Sequence, residues 1–258
     1  MTREPLKTYL KLCTEFYDLE QHVNGVQALS FYMEKAHLAH GPILEPMCGS
    51  GRFLIPMLQA GLDAEGFDAS AYMIDAFKHK YAQISAQEAP IWQQFVQDFD
   101  RNKLYNLIFI PYGSWGLITN LEDAKTGLAA LYNHLAPGGK FIVEIETIAS
   151  VPKSIGIWQH GAHTKSDGSK IALTFLISYQ SATQLFQSRS RYDLIIDEIV
   201  QTTEEEIFQQ YLYRFDELDV LLKDIGVTNI KKYPAFDCAQ EVTKKTPTII
   251  YECVKAKN

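Results

Sequence analysis

Glu45, Gly49, Gly51, Asp68 and Asp98 are the residues whose types and order in this chain point to chemistry. From Ile43 to Gly61, ILEPMCGSGRFLIPMLQAG compresses an apolar strand, an acid, a glycine turn and an apolar helix into one unit. Glu45 stands near the strand's carboxyl end, Gly49-Ser50-Gly51 make the turn, and Arg52 to Ala60 reads as the helix that opens next. In open α/β sheets ligands lie at the carboxyl ends of strands, where the first strand turns into its helix. Glycine there permits positive φ and close approach to a ligand, because no Cβ intervenes. The chemistry is recognition of a nucleotide-type cofactor. A dinucleotide site asks for G-x-G-x-x-G, but Leu54 occupies the place of the third glycine, and that fingerprint has no acid like Glu45 before the turn. A plain strand–helix connection that carries glycines is the other alternative.

The segments that follow must position a ligand's remaining groups. Gly61 ends the helix as a C-cap, and LDAEGFDAS reads as a second short strand ending at Asp68. A carboxylate there can accept from both hydroxyls of a ribose. The same residue also suits the N-cap of the helix AYMIDAFKHK, a place Ser70 can fill instead. VQDFD puts Asp98 in a polar loop just ahead of the apolar strand LYNLIFIP. After that strand, IPYGSWG sets Pro111, Tyr112 and Trp115 at a carboxyl end, and TGLAALYNHLAPGGKFIVEIE reads as amphipathic helix, Pro-Gly-Gly turn and fifth strand.

Taken in this order, the motifs resemble those of the class I S-adenosylmethionine-dependent methyltransferases: acid and G-x-G, ribose acid, adenine acid, and L-x-P-G-G before the fifth strand. The resemblance implies an α/β Rossmann-like, doubly wound seven-stranded sheet with N-terminal helices and an inserted antiparallel sheet. It implies S-adenosyl-L-methionine as cofactor and S-adenosyl-L-homocysteine as product. Glu45, Met47, Cys48, Gly49 and Gly51 would then hold the methionyl part, Asp68 and Ala69 the ribose, and Met73, Asp98 and Phe99 the adenine. Pro111 would border the methyl group, and Tyr17 in the N-terminal helices faces cofactor or acceptor, or simply packs. Tyr112, His163 and Arg214 are the candidate catalytic helpers, with His160 beside them; each histidine also reads as an ordinary strand residue. A finer resemblance, to amino-sugar N-dimethyltransferases and glycine N-methyltransferase-like enzymes, rests on Tyr112-Gly113-Ser114-Trp115, VEIE and YRFDELDVLLKDIGV. It implies a small-molecule acceptor, with N-methylation ahead of O-methylation. A non-catalytic cofactor-binding sensor or scaffold keeps the same motifs, and a nicotinamide oxidoreductase is the more distant rival.

Composition agrees. A net charge of -7 lacks the basic footprint of a nucleic-acid enzyme, so no nucleic-acid partner is expected. The cysteines, Cys13, Cys48, Cys238 and Cys253, form no CxxC or metal spacing, and no metal is expected. With no apolar leader and no run of membrane-spanning length, a cytoplasmic protein without membrane association is the expectation. Along the chain, residues 1–41 read as a helical cap, 42–150 and 214–258 as the cofactor-binding core, and 151–213 as an inserted antiparallel sheet serving as acceptor lid or homodimer contact.

Overall fold

The computed structural model describes residues 4, 6–20 and 25–257. Residues 1–3, 5 and 21–24 of the expected cap lie outside the described residues. In chain order the elements are α1 (Lys11–Leu19), α2 (Gly25–His37), β1 (Ile43–Pro46), α3 (Leu54–Gln59), β2 (Ala64–Asp68), α4 (Ala71–Ala82), β3 (Ile91–Gln93) and β4 (Tyr105–Ile110). There follow α5 (Leu121–Asn133), β5 (Leu135–Glu146), β6 (Trp158–Thr164), β7 (Lys170–Gln180), β8 (Leu185–Ile196), β9 (Ile199–Tyr211), α6 (Glu217–Asp224), β10 (Ile230–Pro234) and β11 (Thr248–Val254).

A seven-stranded sheet in the order β10-β11-β5-β4-β1-β2-β3 forms the core. β11 alone runs against its neighbours β5 and β10. The central strands are apolar runs because helices cover both their faces; all of β1, and all of β4 except Asn106, is buried. One face holds Trp115, Leu128 and Phe141. The other holds Tyr32, Phe53, Phe77 and Phe109. Chain order reverses between β1 and β4, so the crevice beyond their carboxyl ends is a topological switch point, where a ligand finds room between diverging helices. Ser70 takes the N-cap of α4, its Oγ accepting from the Met73 N–H at 3.3 Å. Asp68 is thereby released from capping.

β6-β7-β8-β9 form a separate four-stranded antiparallel sheet. Its strands depart from the sequence reading in two places. SRYDLIIDEIVQ straddles a hairpin, with Asp197 and Glu198 at φ 50° and 61° between β8 and β9, the left-handed pair a two-residue turn demands. WQHGAHT supplies β6, an edge strand too poor in alternating apolar residues to be read as one. The Pro-Gly-Gly stretch also differs: β5 runs through it without interruption from Leu135, and its pairing with β4 shifts register between Tyr105 and Leu107. Gly138 at φ 76° absorbs the irregularity.

The two N-terminal helices do different work. α2 packs on the core sheet through Ala28, Phe31, Tyr32 and Ala36. α1 packs on the inserted sheet, where Leu12, Cys13 and Phe16 meet Ile171 and Tyr192. The first N–H groups of a helix lack intrahelical partners, and Leu10 at the N-cap supplies no side-chain acceptor. The inserted sheet supplies them instead. Glu206 accepts from the N–H groups of Tyr9 (3.0 Å) and Leu10 (2.8 Å), and Glu204 from that of Leu12 (2.7 Å).

Candidate active site

A cavity of about 390 Å³ lies beyond β1, β2 and β4, lined by Met47, Gly49, Asp68, Ala69 and Met73 from the first two strand–helix units, and by Tyr112 and Ser114 from the loop after β4. Tyr9 and Tyr17 close it from the N-terminal side. Gly49 sits at φ 54°, and a Cβ built there would point toward Met73 Sδ at 3.7 Å. Gly51, at φ 90°, is glycine for a different reason: a Cβ would collide with the Phe77 ring and stand 2.9 Å from Ile55 Cγ1. It sets the fit of turn on helix, and is not itself part of the cavity lining.

Asp68 organises the turn. Its carboxylate accepts the Gly49 N–H at 2.9 Å and the Ser70 N–H at 2.8 Å, one on each oxygen, which leaves lone pairs on both for a ligand. Burial pushes its pKa up, against the pull of those N–H groups. Beneath the turn, Glu45 is 1% exposed. It takes the Leu54 N–H, while its Oε2 has no hydrogen-bond partner among the described residues. Burial, reinforced by Asp68, holds this carboxyl well above the usual range.

Above the turn, the Arg52 guanidinium lies 4.4 Å from the Tyr17 ring centre and 5.1 Å from that of Tyr112. Stacked between rings, its planar fork is held in place. Arg52 and Asp68 are the two charged side chains among the described residues lining the cavity. The opposite end of α1 is tied to the same turn, Asp18 accepting from Ser50 Oγ and from Lys80 Nζ at 2.9 Å. α1 therefore bridges glycine turn and inserted sheet.

The structure brings Tyr17, Met47, Gly49, Asp68, Ala69, Met73 and Tyr112 to one cavity. It does not bring the others there. Glu45 and Cys48 are buried below the turn, Pro111 is buried behind Tyr112, and Asp98 is exposed at the end of a short 3-10 turn. Phe99 is committed to the core, stacked on Phe67 with ring centres 5.1 Å apart; Gln97 and Phe95 reach the cavity instead. His163 packs on Phe16 of α1 at 4.7 Å between ring centres, while His160, one strand face over, bonds Thr174. Arg214 lies away from both, exposed beside Glu217. The sequence reading passed over Arg52, Gln97 and Thr8-Tyr9. For Arg52 a signal existed, since it follows the second glycine directly; the helix expected from Arg52 begins at Leu54, which leaves Arg52 in the turn itself.

Comparison with known proteins adds to this geometry. No curated protein matches the chain in sequence. Its structure resembles that of an S-adenosylmethionine-dependent methyltransferase from Clostridium acetobutylicum, at 18% identity and TM-score 0.75, over 91% of this chain and 93% of the other. It also resembles the CcbJ methyltransferase from Streptomyces caelestis, at 17% identity and TM-score 0.76, over 96% and 98%. A sugar N-methyltransferase from Streptoalloteichus sp is similar at 15% identity and TM-score 0.74, over 99% of both chains. Residues 43–139 match the family model described as a methyltransferase domain, and the fold is that of the class I S-adenosylmethionine-dependent methyltransferases.

Proposed function

We propose that the protein is an S-adenosylmethionine-dependent methyltransferase acting on a small-molecule acceptor, with nitrogen ahead of oxygen as the atom methylated. One observation carries this reading: Asp68, Gly49, Met73 and the Tyr17–Arg52–Tyr112 stack converge on one cavity at the switch point. Asp68 receives the ribose hydroxyls on the lone pairs its backbone partners leave free. Arg52, the lining cation, receives the α-carboxylate as a fork-shaped donor, and Glu45, with an unpartnered oxygen below the turn, offers a polar atom beneath the ligand. Met73 and Gln97 border the adenine. The sugar N-methyltransferase likeness supports the choice of nitrogen.

When bound, the cofactor supplies an electrophilic sulfonium methyl. The chain's own task is to hold an acceptor lone pair in line with that carbon and keep water out. Alignment of this kind is worth roughly 7–11 kcal/mol. A positioned base adds about 10²–10⁴ in rate, or roughly 3–5.5 kcal/mol, so alignment dominates. Tyr112, at φ 55° after β4, is the aligning side chain. His163 lies in the groove beside the cavity and takes up an acceptor proton when one must leave; Arg214, which lines neither hollow, has no part in this scheme.

The three-part organisation suits this function: core residues 42–150 and 214–258 hold the cofactor, α1 and the inserted residues 151–213 enclose the acceptor, and α2 of the helical cap (residues 1–41) braces the core sheet. A homodimer through the inserted sheet fits its outer face, where Trp158 and Ile207 are 52% and 54% exposed. Among the described residues no helix is long and apolar enough to cross a membrane, and the four cysteines are unpaired; a cytoplasmic location fits both.

Calorimetric titration with S-adenosylmethionine, S-adenosylhomocysteine and NADH tests the cofactor, and methyl transfer to a panel of small amines and alcohols tests the reaction. Micromolar binding of the first two with turnover of an amine is expected. Binding without turnover of any acceptor would make the protein a sensor or scaffold, and binding of NADH alone would move it to hydride chemistry.

A further inference from the structure

A second hollow, of about 610 Å³, opens between α1 and the inserted sheet and shares Tyr9, Tyr17 and Phe208 with the cofactor cavity. Register decides which side chains form its floor, because directly opposed residues of antiparallel strands project to the same face. Two rows lie there, Phe175–Ser190–Glu206 and Ile177–Ser188–Phe208. Arg189 and Arg191 fall at the intervening positions and project from the opposite face, where Arg191 meets Asp193 at 3.0 Å. The nearby Lys165 is tied to Glu15 at 2.8 Å. The carboxyls at the hollow are those of Glu20 and Glu206, and no lysine or arginine is among its described lining residues.

We propose that this hollow is the acceptor site and that it takes an apolar amine with a ring-sized body, selecting against phosphorylated and carboxylated molecules. The proposal rests on the cofactor reading above, since the shared rings put the hollow beside the methyl donor. An anion entering here would give up its hydration without an arginine or lysine among the described lining residues to replace it, and would face the Glu206 carboxyl. An ammonium gains from the same surroundings: the aromatic rings of Phe175 and Phe208 attract a cation, and Glu206, which holds the N–H groups of Tyr9 and Leu10 and the Cys13 thiol, keeps one acceptor position of its carboxyl. The volume suits a molecule of drug size rather than a single small ion. Delivery as ammonium is compatible with transfer, provided the proton leaves for water or His163 before nitrogen attacks.

The test uses the full chain and calorimetry with 2-phenylethylamine, phenylacetate and phenyl phosphate, each measured with and without S-adenosylhomocysteine. The amine should bind at least about tenfold tighter than either anion, the scale of a desolvated cation–ring contact. Ser188→Lys should erase or invert that order. Phe175→Ala should weaken the amine several-fold while leaving S-adenosylhomocysteine affinity within twofold. Equal or tighter binding of the anions to the unaltered chain would overturn the proposal, as would an order that Ser188→Lys leaves unchanged. So would amine exclusion together with a dimeric mass by light scattering that Ser188→Lys makes monomeric, because a second copy would then fill the hollow. Failure of S-adenosylhomocysteine itself to bind counts against the cofactor reading alone, and the preference measured without it still judges the hollow.

Discussion

Replacing Asp68 with alanine removes the one anionic side chain among the described residues lining the cofactor cavity and two charge-assisted hydrogen bonds at once, those from Gly49 N–H at 2.9 Å and Ser70 N–H at 2.8 Å. The loss has two parts. Ligand hydroxyls lose their acceptor, at about 1.5–3 kcal/mol for a hydrogen bond to a charged group. The glycine turn also loses its brace, so the ligand must order it on binding. The first part alone corresponds to a roughly 12- to 160-fold rise in Kd for S-adenosylhomocysteine, and the second adds to it. Asp68→Asn separates them: the amide keeps the size and one acceptor oxygen but presents N–H₂ to one of the two backbone donors, so its affinity should fall between wild type and alanine. Calorimetry reads the affinities, and thermal denaturation of the same samples reports whether the fold survives. An unchanged Kd in a folded Asp68→Ala variant would remove Asp68 from the site and refute the reasoning built on the cavity.

Two further outcomes follow from packing and burial. Gly51→Ala forces a Cβ into the Phe77 ring at φ 90°, and backbone strain with overpacking should cost roughly 2–4 kcal/mol of stability, read as a lowered denaturation midpoint. Glu144 is 4% exposed and accepts from Tyr32 Oη at 3.0 Å; burial, against the pull of Tyr32 and the Tyr112 N–H, pushes it from 4.5 to about 7. An acid raised in the folded state holds its proton more tightly there than in the unfolded chain, so stability falls as pH rises from 4.5 to about 7 and stays lower above. Glu144→Gln should remove that slope and gain roughly 3 kcal/mol at pH 8, measured by urea denaturation across the range. Equal pH profiles for the two proteins would show that Glu144 ionises freely.

Much of the core was legible because its signals are local. A glycine turn, a strand-end acid and a helix period lie within a few residues of one another, and backbone sterics restrict what such a segment can do. The order of turn, Asp68, fourth strand and L-x-P-G-G was therefore enough to read the sheet and to point to the crevice at its switch point. Tertiary structure decided the rest. Whether Asp98 or Gln97 reaches the cavity depends on how a single 3-10 turn is oriented, and Phe99 is drawn into the core by Phe67, a partner far off in sequence. The stack of Tyr17, Arg52 and Tyr112 joins three separate elements, so no spacing announces it. Likewise α1 and α2 look alike in sequence, yet one packs on the inserted sheet and the other on the core. The register of β7, β8 and β9 turns Ser188 and Glu206 inward and Arg189 outward. A shift of one residue would reverse every one of those side chains; the cofactor class is written in the chain's local motifs, and the character of the acceptor groove in how distant strands pair.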